Sequence, residues 1–418
     1  MEPTNQNKPP QIPFTSYQKF AIFILAVTQF SVVLDFMIMA PLGDLLMKVL
    51  SMKPSQFGSA VSGYAFSAGI AGLLTAGFAD RFDRKKLLLF FYIGFIAGTI
   101  LCALANSYHT LLVARIITGL FGGVIGSISL AIVADLFDIH HRGRVMGFIQ
   151  MGFGASQVLG IPIGLYLANQ WGWRAPFCLV IGMGILIAIM IVAKLKAVTA
   201  HLAAQHDRSP LQHLLNTFSK RNYRIGFLAT AFLSIGGFMM MPFSSAFAVN
   251  NLGVTHEQLP LLFMVAGCSS LVIMPLVGRL ADRIDKFTLY AIASAWMIVV
   301  VVIYTNMTVT PLWLVMVVNV IMMMGILSRM VPAVALTTAI PDLADRGAFM
   351  SINSSLQQIA GGVAAAAAGM IVTQKTEFSP LEHYNTVGYV MVCISVISVL
   401  LLYRVSVMVK KKLGEQKV

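Results

Sequence analysis

Twelve mostly apolar stretches follow one another along the chain, at roughly 18–47, 56–79, 87–106, 109–135, 144–169, 174–195, 223–250, 257–281, 287–306, 311–337, 347–373 and 383–408. A helix crossing the hydrocarbon core of a bilayer needs about 20 such residues, so each stretch is long enough to span it. No other feature narrows the fold as much. A spanning segment must satisfy its own backbone hydrogen bonds, which leaves only helices and closed barrels. Barrel strands would read as alternating segments of about ten residues, half the length of these runs. Charged residues make up 11% of the chain and hydrophobic ones 58%, whereas soluble domains carry about a quarter charged. The expected class is therefore an all-α integral membrane protein with twelve transmembrane helices.

A polar interruption at 196–222 splits the spans six plus six. The expected organisation is a cytoplasmic tail over 1–17, an N-terminal six-helix bundle over 18–195, a central cytoplasmic loop over 196–222, a C-terminal bundle over 223–408 and a tail over 409–418. With the N-terminus inside, 23 lysines and arginines fall in cytoplasmic segments and 4 in outward loops, which by the positive-inside rule puts both termini in the cytoplasm. The net charge of +13 has the same origin. No basic stripe interleaved with aromatics accompanies it, so no nucleic-acid partner is expected. The first residues lack a basic region followed by a cleavage site and read as a tail rather than a signal peptide. Cys102, Cys178, Cys268 and Cys393 lie singly in apolar runs, without metal or redox spacing. No metal or cofactor is expected.

The two halves carry matching loops. Ala79-Asp80-Arg81-Phe82-Asp83-Arg84-Lys85-Lys86 follows the second span, and Ala281-Asp282-Arg283-Ile284-Asp285-Lys286 follows the eighth; Arg142-Gly143 and Arg346-Gly347 match after the fourth and tenth. Same-orientation repeats imply two bundles related by an axis along the membrane normal. The first loop resembles the G-x-L-A-D-R-x-G-R-K signature of the major facilitator superfamily. Asp80, Arg81, Arg84 and Lys85 match, while Asp83 takes the second glycine's place. The second copy keeps Gly278, Leu280, Ala281, Asp282 and Arg283, with Asp285 at the later glycine. Arg115 to Gly119 is similar to the family's R-x-x-x-G. Gly160-Ile161-Pro162-Ile163-Gly164 resembles the glycine-proline element of its twelve-helix drug:proton antiporters and their efflux-permease relatives, with the proline one place late. The resemblance implies the major facilitator fold, and it implies that Asp80 and Asp282 latch one half to the other with Arg81 and Arg84 taking part. A turn that only sets topology is the alternative. Asp83 and Asp285 read as extra carboxylates that tighten this charge network or mark a differently closed gate.

No phosphate-binding loop or hydrolase motif occurs, so an enzyme or ATP-driven pump is not expected, and a gradient-driven transporter needs a titratable group in the membrane. Asp35, within the first span, is the candidate, because an ionisable side chain at that depth is costly and is held against a partner. Arg115 in the fourth span is its natural counter-charge, and its family counterpart points into the interior. The pair reads either as a proton-coupling switch or as a fixed structural ion pair. Met39, Phe238 and Met241, with Gln150, Gln157, Asn319 and Gln357, are the expected cavity lining, although methionines and amides also serve as core and helix-joining groups. Arg329 would bind an anionic substrate group or pair with helix carbonyls. Pro41, Pro162, Pro242 and Pro332 are expected bends. The expected activity is proton-coupled efflux of small hydrophobic or amphipathic compounds by alternating access. The partners would be substrate, protons and the bilayer, and the protein would be a monomer of a bacterial-type inner membrane. Uptake or facilitated diffusion of a polar nutrient, and a non-transporting sensor, are the rival readings.

Overall fold

The computed structural model describes residues 14–199, 202, 210–342 and 345–415. Among the described residues it is helical throughout, apart from one isolated bridge between Thr373 and Glu382. The N-terminal half holds α1 (Ser16–Ile38), α2 (Pro54–Ala76), α3 (Arg84–Ala103) and α4 (Tyr108–Leu136). Its α5 runs from Ile139–Ala155 through a π-helical turn, Ser156–Gly160, into Ile161–Trp171, and α6 is Ala175–Lys194. A short helix, Pro210–Ser219, precedes the second half. That half holds α7 (Arg221–Phe238), α8 (Leu259–Arg283), α9 (Lys286–Thr305), α10 (Leu312–Thr338), α11 (Arg346–Ile371) and α12 (Tyr384–Glu415).

Eleven of these helices are long and apolar enough to cross a membrane. The exception, α11, has the length, but Asn353, Ser354, Ser355, Gln357 and Gln358 lower its hydropathy. Large apolar side chains stand exposed on the outer faces, among them Phe90 (61%), Leu186 (58%), Val299 (58%) and Leu400 (62%). A soluble monomer could not carry apolar surface on this scale, and in a bilayer it is the lipid face.

The repeat seen in the sequence governs the packing. In the N-terminal half α4 packs on α2 and α3, while α1 packs on α5 and α6; adding six to each number gives the pairs found in the other half. The halves meet where α2 runs along α11 and α5 crosses α8. Small residues permit this approach. A Cβ on Gly58 would lie 2.7 Å from the Ala365 carbonyl oxygen, and one on Gly267 would lie 2.8 Å from that of Gln157.

Prolines shape the helix ends. The first apolar run extends to 47, but its helix stops at Ile38; a turn over Pro41 leads to a separate tip helix, Gly43–Val49. The seventh breaks likewise, with a 3-10 turn at Met241–Phe243 containing Pro242 and a tip helix Ser244–Asn250. Pro162 sits in the first turn after the π-helical segment, while α10 continues through Pro332.

Candidate functional site

Four features lead from inside the N-terminal bundle to the seam between the bundles: a sealed ion pair, an aromatic bridge, a small cavity and a polar clasp. Asp35 on α1 and Arg115 on α4 are 0% and 1% exposed. Arg115 Nη1 donates to Asp35 Oδ2 at 2.8 Å and to the Asp35 backbone oxygen at 3.4 Å. Thr99 on α3 donates to the other carboxylate oxygen at 3.4 Å, and the guanidinium lies 4.5 Å from the centre of the Tyr64 ring. Burying either charge alone in hydrocarbon would be costly, and a hydrogen-bonded partner on a neighbouring helix offsets much of that. Arg115 Nε lacks a hydrogen-bond partner.

Tyr64 connects the pair to open space. Its ring lies 5.2 Å from Phe36, and Phe36 lies 6.3 Å from Phe238 across the interface between halves. Phe36 and Phe238 border a cavity with Met39 and Met241, and the one polar side chain there is Gln358 on α11. Its space, ≈ 20 Å³, has room for about one water, so the site is shut around no more than a solvent molecule.

The clasp lies beyond the cavity, at the end of the molecule opposite the termini. Asp44 of the first tip helix, 1% exposed, accepts from Lys48 at 2.8 Å and from Asn250 of the second tip helix at 2.5 Å. His256 Nε2 stands 3.1 Å from the same carboxylate. Ser245 donates to the Ala40 carbonyl at 2.6 Å, and Asn169 donates to that of His256 at 2.8 Å. Burial pushes the Asp44 carboxyl up, but the bonds from His256, Lys48 and Asn250 outweigh it and hold it below its ordinary value. Farther in, Ser270 donates to Gln157 Oε1 at 3.3 Å across the α5–α8 crossing.

The remaining candidates fall into place as follows. Gly160 and Gly164 lie against Leu34 and Ile38 of α1, with Pro162 between them. Gln150 is exposed and Gln357 half-buried, and neither borders the cavity, where Gln358 stands instead. Asn319 has a buried carbonyl oxygen without a partner. Arg329, 2% exposed, points away from the cavity into the C-terminal bundle, where it meets Tyr290, Met297 and Ser395. In the first charged loop Arg84 reaches Asp135 of its own half, with 3.4 Å from Nε to Oδ2, and Lys85 donates to the Val192 carbonyl at 3.0 Å. Arg81 is exposed, as are Asp282 and Arg283 in the second loop; the Asp80 side chain lies outside the described residues.

The two carboxylates at glycine positions turn out to be helix caps. Asp83 accepts from the Lys85 amide at 2.9 Å and from the Val198 amide at 3.0 Å. Asp285 accepts from the Thr288 amide at 3.1 Å and pairs with Lys410 at 2.8 Å. Each satisfies N–H groups that a helix start leaves open. Two clusters were not singled out in the sequence, the Asp44 clasp and the group in which Asp345 accepts from Tyr223 and Lys220. Signals existed for the first: Asp44 and Lys48 are four apart just past Pro41, and Asn250 follows Pro242 at the matching end.

The model of the Major Facilitator Superfamily matches residues 25–365 and 227–417. The Uncharacterized MFS-type transporter YbcL of Bacillus subtilis (strain 168) is 26% identical over 91% of this chain and 95% of its own. A Probable sugar efflux transporter of Helicobacter pylori (strain G27) is 26% identical over 66% of this chain and 70% of its own. Among solved structures, a bacterial homolog of the human lysosomal transporter Spinster, inward-facing and unoccupied, superposes with a TM-score of 0.75 at 16% identity, covering 96% of this chain and 99% of that one. A D-xylose-proton symporter superposes at 0.74 with 16% identity over 92% and 97%.

Proposed function

The chain belongs to the Major Facilitator Superfamily, a family of membrane transporters rather than enzymes, and on that premise we propose that it exports small apolar or amphipathic molecules in exchange for protons. Its place is a bacterial-type inner membrane with both termini cytoplasmic, an orientation supported by the 23-to-4 division of lysine and arginine. The end closed by the Asp44 clasp then faces outward.

One observation carries this reading: the Asp35–Arg115 pair is sealed from solvent, yet it connects to the cavity through Tyr64 and Phe36. In the proposed cycle Asp35 takes a proton from outside, its hold on Arg115 weakens, and the bundles rock. Opening inward releases the proton and admits substrate. A molecule entering between Phe36 and Phe238 pushes Phe36 against Tyr64 and so shifts the ring on which Arg115 rests. Proton and substrate thus bias the same two-state element from opposite sides, which is what coupling requires. The lining favours apolar cargo, since Gln358 is its one polar side chain.

Replacing Asp35 with Asn is the test. In proteoliposomes the variant should bind cargo but lose transport driven by a pH gradient. Gradient-driven export at the unmodified rate would sink the proposal. The relatives named as sugar efflux transporters favour a second cargo class, small sugars. A panel of sugars and amphipathic cations, read by thermal shift and then by vesicle transport, separates the two.

A further inference from the structure

Arg329 occupies a place that has donors without acceptors. Its guanidinium is 2% exposed, and all its partners are neutral. Nη1 approaches the Met297 sulfur at 2.9 Å and the Ser395 hydroxyl at 3.3 Å. Nη2 donates to the Tyr290 hydroxyl at 3.1 Å, and the same ring faces the guanidinium at 5.4 Å. Nε has no partner. Among the described residues no carboxylate pairs with it. A fixed cation sealed in a membrane bundle without a counter-charge is among the costliest arrangements a protein can hold.

The hydroxyls around it are not spent on their own helix. Many buried serines and threonines donate back along their helix, as Ser294 does to the Tyr290 carbonyl at 2.7 Å and Thr337 to that of Ala333 at 2.9 Å. Ser395 and Ser398, 0% and 1% exposed and one turn apart on α12, have no such bond. Ser395 accepts from Arg329, which leaves its own proton uncommitted. Tyr290 and Ser398 share one bond at 2.6 Å; whichever oxygen donates, one hydroxyl proton of that pair remains over. Four donors, the Nε–H, the second Nη2–H and two hydroxyl protons, therefore surround a positive charge with nothing to receive them. Buried polar groups are normally satisfied. A water could accept two of these bonds, but it would bring two more donors and leave the charge uncancelled. A small anion accepts several such donors at once and cancels the charge.

We propose that Arg329, Tyr290, Ser395 and Ser398 form a binding site for a monovalent inorganic anion of the chloride class, held inside the C-terminal bundle apart from the substrate cavity. The site is structural to that bundle and does not depend on which molecule is transported.

The test uses the purified full-length protein, with its unfolding midpoint followed as sodium gluconate is replaced by sodium chloride at constant ionic strength and pH. The midpoint should rise with chloride and saturate. Arg329→Gln should abolish the response, and Ser395→Ala and Ser398→Ala should each raise the half-saturating chloride several-fold. Bromide should substitute for chloride and give an anomalous scattering peak beside Arg329. Equal midpoints in the two salts, or a chloride response that survives Arg329→Gln, overturn the proposal. If Arg329→Gln does not fold, the Ser395→Ala/Ser398→Ala double variant takes its place, and an unchanged half-saturation overturns it equally.

Discussion

Two arginines are sealed inside this molecule, one on α4 and one on α10, helices that correspond under the repeat, yet their surroundings differ in kind. Arg115 lies about 10 Å into α4 from the clasp end, at 1.5 Å per residue, and meets a carboxylate, a threonine-supported pair and the face of a tyrosine. Arg329 lies about 14 Å into α10 from the opposite end and meets a thioether and hydroxyls. The first charge is cancelled by a carboxylate that can itself take up a proton; the second is fixed, and among the described residues no carboxylate pairs with it. After a duplication, the two bundles kept their packing and diverged in electrostatics. The N-terminal bundle therefore holds a buried carboxylate against its arginine, and the C-terminal one holds its arginine among neutral groups.

The sharpest way to break this contrast is to remove each arginine. Arg115→Met leaves Asp35 buried without its partner and should cost about 3–5 kcal/mol, whereas Arg329→Met in gluconate should cost less than about 1 kcal/mol, since a charge without a counter-charge is lost. Unfolding in detergent measures both, and equal costs would erase the distinction. The next effect concerns the seam that both bundles share. Gly58→Leu drives a side chain into the α11 backbone and should destabilise this closed arrangement by about 1–3 kcal/mol, read as increased labelling of cysteines placed at the clasp.

A comparable effect is expected at Asp44, which lies past the end of α1 and is held by both halves. Its carboxyl sits below the ordinary value of 3.8, so its contribution is present above that value and is lost only as pH falls through the lower folded value. Between pH 7 and 5 the clasp should therefore stay shut through Asp44. Asp44→Asn should cost about 1.5–3 kcal/mol and loosen the clasp, measured by cysteine accessibility against external pH. The smallest effect compares the two caps. Asp83→Ala and Asp285→Ala should each cost about 1 kcal/mol, and Asp83 the more, because it also holds the Val198 amide.

The spans were legible because membrane thickness imposes a length that no other feature of the sequence imitates. The Asp35–Arg115 contact was legible too, since a carboxylate and a guanidinium stranded in apolar helices leave each other few alternatives. The Asp44 clasp was not, because its meaning depends on Asn250 and His256, some 200 residues away, and on two helix breaks that hydropathy runs straight through. Gln357 and Gln358 differ by one step of helical rotation, about 100°, which a lone sequence does not assign to a face. Asp83 read as a departure from glycine because the family pattern was the reference; its position immediately before a helix pointed to a cap.

The breaks at Pro41 and Pro242 also bear on speed. Each divides a long rod from a tip of seven residues, so the clasp can loosen by tilting two small segments before either bundle turns as a whole. Leu46, Met47, Phe247 and Ala248 pack those tips into the core, so such a tilt carries an apolar cost of its own, and that cost sets how often the clasp opens.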